Sequence, residues 1–312
     1  AKGNLTGLAD KRVGIIGTGA TAVQCVPHLG AAAKHLYVFQ RTPSSVDVRN
    51  DTRTDPEWVK TLTPGCPKRR MDNFGILVTG GFQDEDMVND GWTEIIRNIL
   101  LLHRTNAAAG HKDPADLVQL ADFKKMEQIR ARIDTVVKDK RTAEALKPWY
   151  NQFCKRPCFH DDYLPTFNRP NVTLVDTEGR GVERITENAV IANGKTYEGD
   201  CLSCATGFEG GTDYTRRSGY DLVGRDGVTL SGKWSQGVST LHGITSRGFP
   251  NAFIIQPSQA GFAVNFPSII GEQARHIAYI VAEAMARQAR TVEPSAAAEE
   301  AWVQTIIDTS VF

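Results

Sequence analysis

The sequence predicts an α/β protein built on a doubly wound parallel sheet, interrupted by a helical insertion and followed by a second, loop-rich domain. Three observations carry this. An apolar run at Arg12 to Ile16 stops at a glycine-rich turn and passes straight into helical spacing, as a buried parallel strand entering its crossover helix would. A second run, Leu36 to Gln40, is rich in aromatic and β-branched residues and completes a strand, helix, strand unit of about 30 residues. At about 150 residues per domain, a chain of 312 has room for two domains.

Each element follows in order. From Ala20 the apolar positions Val23, Val26 and Leu29 recur at helical spacing; Gly30 is placed to end this helix and Pro27 to kink its last turn. Over residues 44–150, turn signals such as Pro64-Gly65 give way to helical stretches around Asp84 to His103 and Pro114 to Lys138, so a helical insert is expected. Strand character returns at Val172 to Val175, at Val182 to Ile185, and at Ala189 to Tyr197 folded about Asn193-Gly194, a dipeptide that favours the type I′ turn. A small antiparallel meander is expected there. Cys201 to Ala205 reads as one more strand, ending at Thr206-Gly207, which sets the first domain at 1–207 and the second at 208–312. The second domain is expected to hold a short strand at Ala252 to Ile255. It should also hold an amphipathic helix from about Pro267 to Arg287, with Ile270, Ala274, Ile277 and Val281 on one face, and a final helix from Ala296 to Ile307.

Composition excludes several classes. Lys plus Arg and Asp plus Glu both number 36, so there is no global basic field to hold a phosphate backbone, and nucleic acid is not expected as a partner. No apolar run approaches the roughly 18 residues of a membrane helix, and the first ten residues lack the apolar stretch of a signal peptide, so a soluble, cytoplasmic protein with no membrane partner is expected. Six cysteines are too sparse for a disulfide framework. Cys201 and Cys204 have C-x-x-C spacing but lie in an apolar strand rather than at a helix start, and are expected in the core. Cys154, Cys158 and His160 lack the second ligand pair of a zinc site, so no metal is expected. Neither G-x-S-x-G, H-E-x-x-H nor a P-loop occurs, which disfavours hydrolase and nucleotidase chemistry.

One motif does carry chemistry. Gly17-Thr18-Gly19-Ala20-Thr21-Ala22 matches G-x-G-x-x-A between a strand and a helix, the context of a Rossmann-like dinucleotide site. The first glycine permits the tight turn, the second lets the backbone approach a diphosphate, and Ala22 lets helix pack on strand, while the helix N-terminus attracts the anion. Where an NAD enzyme places an acid at the end of the second strand, this chain has Gln40-Arg41-Thr42. Arg41 suits a 2′-phosphate and so NADP, the alternative being a solvated surface arginine.

Several segments together resemble the Baeyer-Villiger type of flavin-dependent monooxygenase. They are Asp10-Lys11-Arg12 leading into VGIIGTGATAVQ, then VFQRTPSS, CKRPCFHDDYLPTFNRPNVTLVD, CATGFE and GFPNAF, in an order and spacing that agree over nearly the whole chain. The resemblance implies a Rossmann-like NADP-binding domain with a helical insertion, plus the C-terminal part of a FAD-binding domain. It implies NADP(H) and FAD as cofactors, with a ketone and molecular oxygen as substrates. The oxygen would enter beside the carbonyl to give an ester or lactone. It places Arg156 beside the flavin as the catalytic residue, where a guanidinium that keeps its proton would stabilise anionic oxygen species. It places Lys155, Arg41 and Thr42 on the 2′-phosphate, and adds Gln24, Ala205, Thr206 and Gly207 to the cofactor contacts. Read from the residues alone, Arg156 could equally pair with Asp161 or Asp162. His242 and Asn265 fall in loops where the family contacts flavin or substrate, or serve as structural hydrogen-bonding groups. The family's flavin fingerprint is expected before residue 1 and its tryptophan-bearing closing segment after Phe312, so a missing flavin-domain segment is expected as a partner. A flavin monooxygenase acting on nitrogen or sulfur and a catalytically incomplete NADP-binding fragment remain alternatives.

Overall fold

The structure is a computed structural model that describes residues 5–98, 114–208, 212–261 and 265–309. They fall into two compact units: Ala1–Cys66 with Gly80–Phe208, and Pro67–Thr79 with Glu209–Phe312.

In the first unit, β1 (Arg12–Ile16), α1 (Ala20–Ala32) and β2 (His35–Gln40) form the expected strand, helix, strand unit. With β5 (Val172–Asp176) and β9 (Cys201–Cys204) the strands make an all-parallel sheet in the order β5-β2-β1-β9. Residue alternation sorts the side chains to two faces. Val13, Ile15, Leu36 and Val38 are buried beneath α1 and the long helix α5 (Pro114–Val136), against Val23, Val26, Met126, Ile129 and Ile133. Each such fully buried aliphatic side chain contributes about 1.5–3 kcal/mol relative to exposure. On the other face Phe39 and Val175 pack against Val190 and Ala192 of the antiparallel meander β6 (Arg184–Ile185), β7 (Ala189–Ala192) and β8 (Lys195–Glu198), with the Phe39 and Tyr197 rings edge to face at 5.5 Å. The meander turns at Asn193 and Gly194, both at positive φ, as the type I′ signal predicts.

The region 44–150 is largely helical. It holds α2 (Pro56–Thr61), α3 (Cys66–Val78, almost wholly in the second unit), α4 over 91–98 of the described residues, α5, and α6 (Lys140–Leu146). Residues 84–90 of the helix expected from Asp84 are not helical, and 99–103 lie outside the described residues. An unexpected strand, β3 (Val46–Asp47), pairs in parallel with β4 (Cys158–Phe159), Val46 opposite Cys158 and Asp47 opposite Phe159. A two-residue strand has no period to detect.

Four expectations need correction. Gly30 does not end α1, which runs on to Ala32. A Cβ at position 30 would lie 2.9 Å from Thr166 Cγ2 and 3.1 Å from Val172 Cγ2, so the glycine serves close packing rather than termination. The strand expected from Val182 is paired only at Arg184–Ile185. Ala252 to Ile255 forms no strand; Ile254 N–H reaches the Ile244 carbonyl at 2.9 Å, a single bond rather than a ladder. Cys201 and Cys204 are exposed, not core, and three residues apart on a strand they point to opposite faces, so they make no dithiol pair.

In the second unit the long helix spans Phe266–Ala286. Its inward side centres on the buried Gln273; Ile270 and Ile277 of the expected face are half-buried, while Ala274 and Val281 are exposed. The Gln273 amide donates to the Gln256 carbonyl at 2.6 Å, which lets a polar residue occupy that position. The final helix, Ala296–Thr309, supplies the buried Glu299, which accepts from Lys233 Nζ at 2.8 Å and from the Arg247 N–H at 2.8 Å.

Candidate dinucleotide site

The C-terminal ends of β1 and β9 fix the glycine turn. Gly17 has φ +110°, and a Cβ there would lie 2.3 Å from the Ala205 carbonyl oxygen. Its N–H donates to Phe39 O at 2.9 Å, and the Ala205 N–H donates to Ile16 O at 2.8 Å, so Ala205, Thr206 and Gly207 leave β9 beside the turn. Conformation and close approach both exclude a side chain at position 17. Gly17→Ala is expected to destabilise the fold by about 3 kcal/mol or more; an unchanged urea midpoint would refute this packing argument.

The rest of the turn divides its labour. Thr18 is buried, its hydroxyl donating to the Thr42 carbonyl at 2.8 Å, and Ser44 Oγ donates back to Thr18 O at 2.6 Å. These bonds lock the turn to the segment after β2. Gly19 is the N-cap of α1, with no side-chain cap, no acid in the first turn, and nothing within 4 Å of a Cβ built on it. The start of α1 therefore carries a positive end field with no side-chain cap of its own. Ala22 is fully buried under the helix and Thr21 is exposed, while Gln24 folds its amide back to Ala20 O at 3.0 Å.

A cationic pair stands at the end of β2. Arg41 and Thr42 are exposed, and Lys155 Nζ donates to Thr42 Oγ1 and lies 5.0 Å from the centroid of the Tyr150 ring. Burial, and then the neighbouring Arg41 charge, hold the Lys155 ammonium below its ordinary pKa. Among the described residues neither Arg41 nor Lys155 forms an ion pair. Tyr150 ties this corner down: its hydroxyl donates to Pro43 O at 2.9 Å and accepts from the Ser45 N–H at 3.0 Å, and burial pushes its pKa up to about 12, so it stays neutral.

Lys155 is extended, with φ −136° and ψ 161°, so the next side chain departs the other way. Arg156 lines a cavity of about 580 Å³ shared with Ala20 and Gln24 of α1, Arg49 and Trp92. The ion pair with Asp161 or Asp162 weighed from the sequence is absent among the described residues. Asp161 is engaged elsewhere: it accepts the backbone N–H groups of Arg49, Asn50 and Asp51 at 2.9, 3.2 and 2.9 Å, which hold its carboxyl below the usual range against the opposing effect of burial. Beneath this wall, Arg132 donates to Val46 O at 3.0 Å and His160 O at 3.3 Å, bridging β3 and the end of β4. Lys125, itself buried, pairs with Asp47 at 2.5 Å and Glu94 at 3.1 Å.

The structure thus gathers the motif glycines, Ala205 to Gly207, Arg41, Thr42 and Lys155 at one end of the first unit's sheet, with Arg156 in the cavity bordered by the first turn of α1. Arg49, Arg132 and the part that Asp161 plays here escaped the sequence reading, since the three come together through a two-residue strand pair and a distant helix. His242 and Asn265 belong to the second unit. The His242 ring lies 4.8 Å from Trp302 and 5.4 Å from His276, and burial lowers its pKa first, with His276 adding to the effect. Asn265 stands at the N-cap of the long helix without a side-chain cap bond. Among the described residues no group of three or more His, Cys, Asp or Glu could hold a metal ion, and no helix is long and apolar enough to cross a membrane.

No protein-family model matches the sequence. The chain is 56% identical over 308 residues to neopentalenolactone D synthase of Streptomyces avermitilis, covering 98% of this chain and 52% of that protein. It is 53% identical, over 98% of its own length and 49% of the other's, to a Baeyer-Villiger monooxygenase of Stachybotrys chlorohalonatus. Among solved structures it is similar to the polycyclic ketone monooxygenase of Thermothelomyces thermophila, with a TM-score of 0.83, 40% identity, and 96% of this chain against 50% of that one. It is also similar to OTEMO in complex with FAD and NADP, with a TM-score of 0.73, 25% identity, and coverage of 96% and 57%. The chain spans about half the length of the curated relatives it matches.

Proposed function

We propose that this chain, which belongs along 98% of its length to the Baeyer-Villiger monooxygenase family, carries the NADPH-recognising part of an enzyme that inserts one oxygen atom next to a ketone carbonyl, giving an ester or lactone. Residues 1–207 would be its NADP-binding domain and 208–312 the C-terminal part of its FAD and substrate domain. When bound, NADPH supplies a hydride and FAD carries its electrons to dioxygen. The flavin part of this reading rests on the relatives, which include a structure holding FAD and NADP.

The residues present fit NADP. Gly17 lets the turn close against Ala205, and Gly19 leaves the backbone bare at the N-terminus of α1, where a diphosphate is favoured. Thr18 holds the turn, and Ala20, Thr21, Ala22 and Gln24 form the first helical turns beside it. Ala205, Thr206 and Gly207 flank it from β9. Arg41 and Lys155, with Thr42, present two cations and a hydroxyl, the cations in no ion pair among the described residues, a donor set that suits a dianionic 2′-phosphate. Arg156 would stabilise negative charge developing on oxygen in the cavity.

The observation that carries the reading is that Lys155 and Arg156, adjacent in sequence, serve separate places: one joins Thr42 beside Arg41, and the other enters the cavity bordered by α1. Calorimetric titration of the chain should show NADPH preferred to NADH by about a hundredfold or more. The whole protein, supplied with a cyclic ketone, should release the lactone as NADPH is consumed. A chain that binds neither nucleotide would overturn the assignment.

A further inference from the structure

We infer that Arg49 is a second phosphate-binding cation of this site, taking the phosphate on the nicotinamide side of the dinucleotide, and that Asp161 is the positioning residue that sets it there. This deepens the NADPH reading and rests on it.

Arg49 lines the 580 Å³ cavity together with Ala20 and Gln24 of α1 and with Arg156. Among the described residues it forms no ion pair, although Asp51 and Asp162 line the same cavity. A guanidinium presents a planar fork of donors that matches a phosphate better than a point charge does. The 2′-phosphate would be met by Arg41 and Lys155, which do not line this cavity. The anion available to Arg49 is therefore on the other side of the dinucleotide, past the first turn of α1 and toward Arg156.

Arg49 follows β3 by two residues, and the next residue, Asn50, has φ +52°, a left-handed conformation that is uncommon outside glycine. Three successive N–H groups, from Arg49, Asn50 and Asp51, converge on the Asp161 carboxylate at 2.9, 3.2 and 2.9 Å. Consecutive N–H groups turned to one side make an anion-binding concavity, and here the chain fills it with its own carboxylate. Asp161 follows β4 by two residues, and β3 and β4 are joined by their ladder and by Arg132. The carboxylate thus fixes the Arg49 backbone relative to the wall that carries Arg156. Neutralising it loses the charge that the three donors share, and an Asn would turn an amide donor toward one of them.

Three ligands separate the possible outcomes: NADPH, NADH, and 2′-phospho-AMP, which keeps the adenosine end and lacks the nicotinamide half. In calorimetric titrations at low salt, Arg49→Ala is expected to weaken NADPH and NADH alike, by about tenfold, and to leave 2′-phospho-AMP within about twofold. Asp161→Asn should weaken NADPH several-fold, again sparing 2′-phospho-AMP, and should add nothing once Arg49 is Ala, because it acts through that residue. A purely structural role for Asp161 would lower all three affinities and persist in the Arg49→Ala background. Either that pattern or an Arg49→Ala protein that binds NADPH normally overturns the inference while leaving the cofactor assignment intact. A wild-type chain that binds neither NADPH nor 2′-phospho-AMP overturns both.

Discussion

Replacing Arg156 by Ala in the whole protein is expected to lower ketone oxygenation by at least about a hundredfold, the scale on which a charge stabiliser of an anionic transition state acts, while NADPH affinity changes little. The guanidinium lines the cavity, is paired with no carboxylate among the described residues, and takes part in no packed core. Removing it therefore deletes a charge without opening a hole. Arg156→Lys should recover little, since an ammonium offers neither the fork of donors nor a proton as firmly held. Steady-state lactone formation, set against a separate NADPH titration, distinguishes loss of chemistry from loss of binding. Turnover within a few-fold of wild type would remove Arg156 from the reaction.

The second large effect is on cofactor choice. Arg41→Ala or Lys155→Ala alone should reduce the preference for NADPH over NADH by about tenfold, and the two together by about a hundredfold, since each lost charge-assisted bond is worth on the order of 1.5–3 kcal/mol. NADH should scarcely notice, because it carries no charge where these side chains converge. The Arg41 charge that depresses the Lys155 pKa is the physical sign of their proximity. Raised salt should erode the preference in parallel, as these groups are partly exposed. If NADH is weakened as much as NADPH, the two cations are not reading the 2′-phosphate.

What the sequence made legible was local. The β1–α1–β2 unit and its glycine turn lie within one continuous stretch, where apolar period and turn chemistry agree. Arg41 was readable because its position is fixed by the end of β2. Longer-range facts were not. Gly30 looked like a terminator because nothing nearby reveals that Thr166 and Val172 press against it. Asp161 looked like a partner for Arg156 because the two are close in sequence, whereas its carboxylate answers to a turn more than a hundred residues earlier. The burial of Gln273 is not visible in the spacing of its helix, since its carbonyl partner at Gln256 lies on a separate loop. In each case the missing knowledge was a contact between distant segments.

The adjacency of Lys155 and Arg156 has a further consequence for anyone redesigning the protein. On the proposed reading one peptide bond joins a residue that would select the coenzyme to one that would stand beside the reacting atoms, so a bulky or backbone-bending exchange at the first should disturb the second. Conversion to the cheaper reductant should therefore start at Arg41, which can change its identity without tugging on the machinery next door.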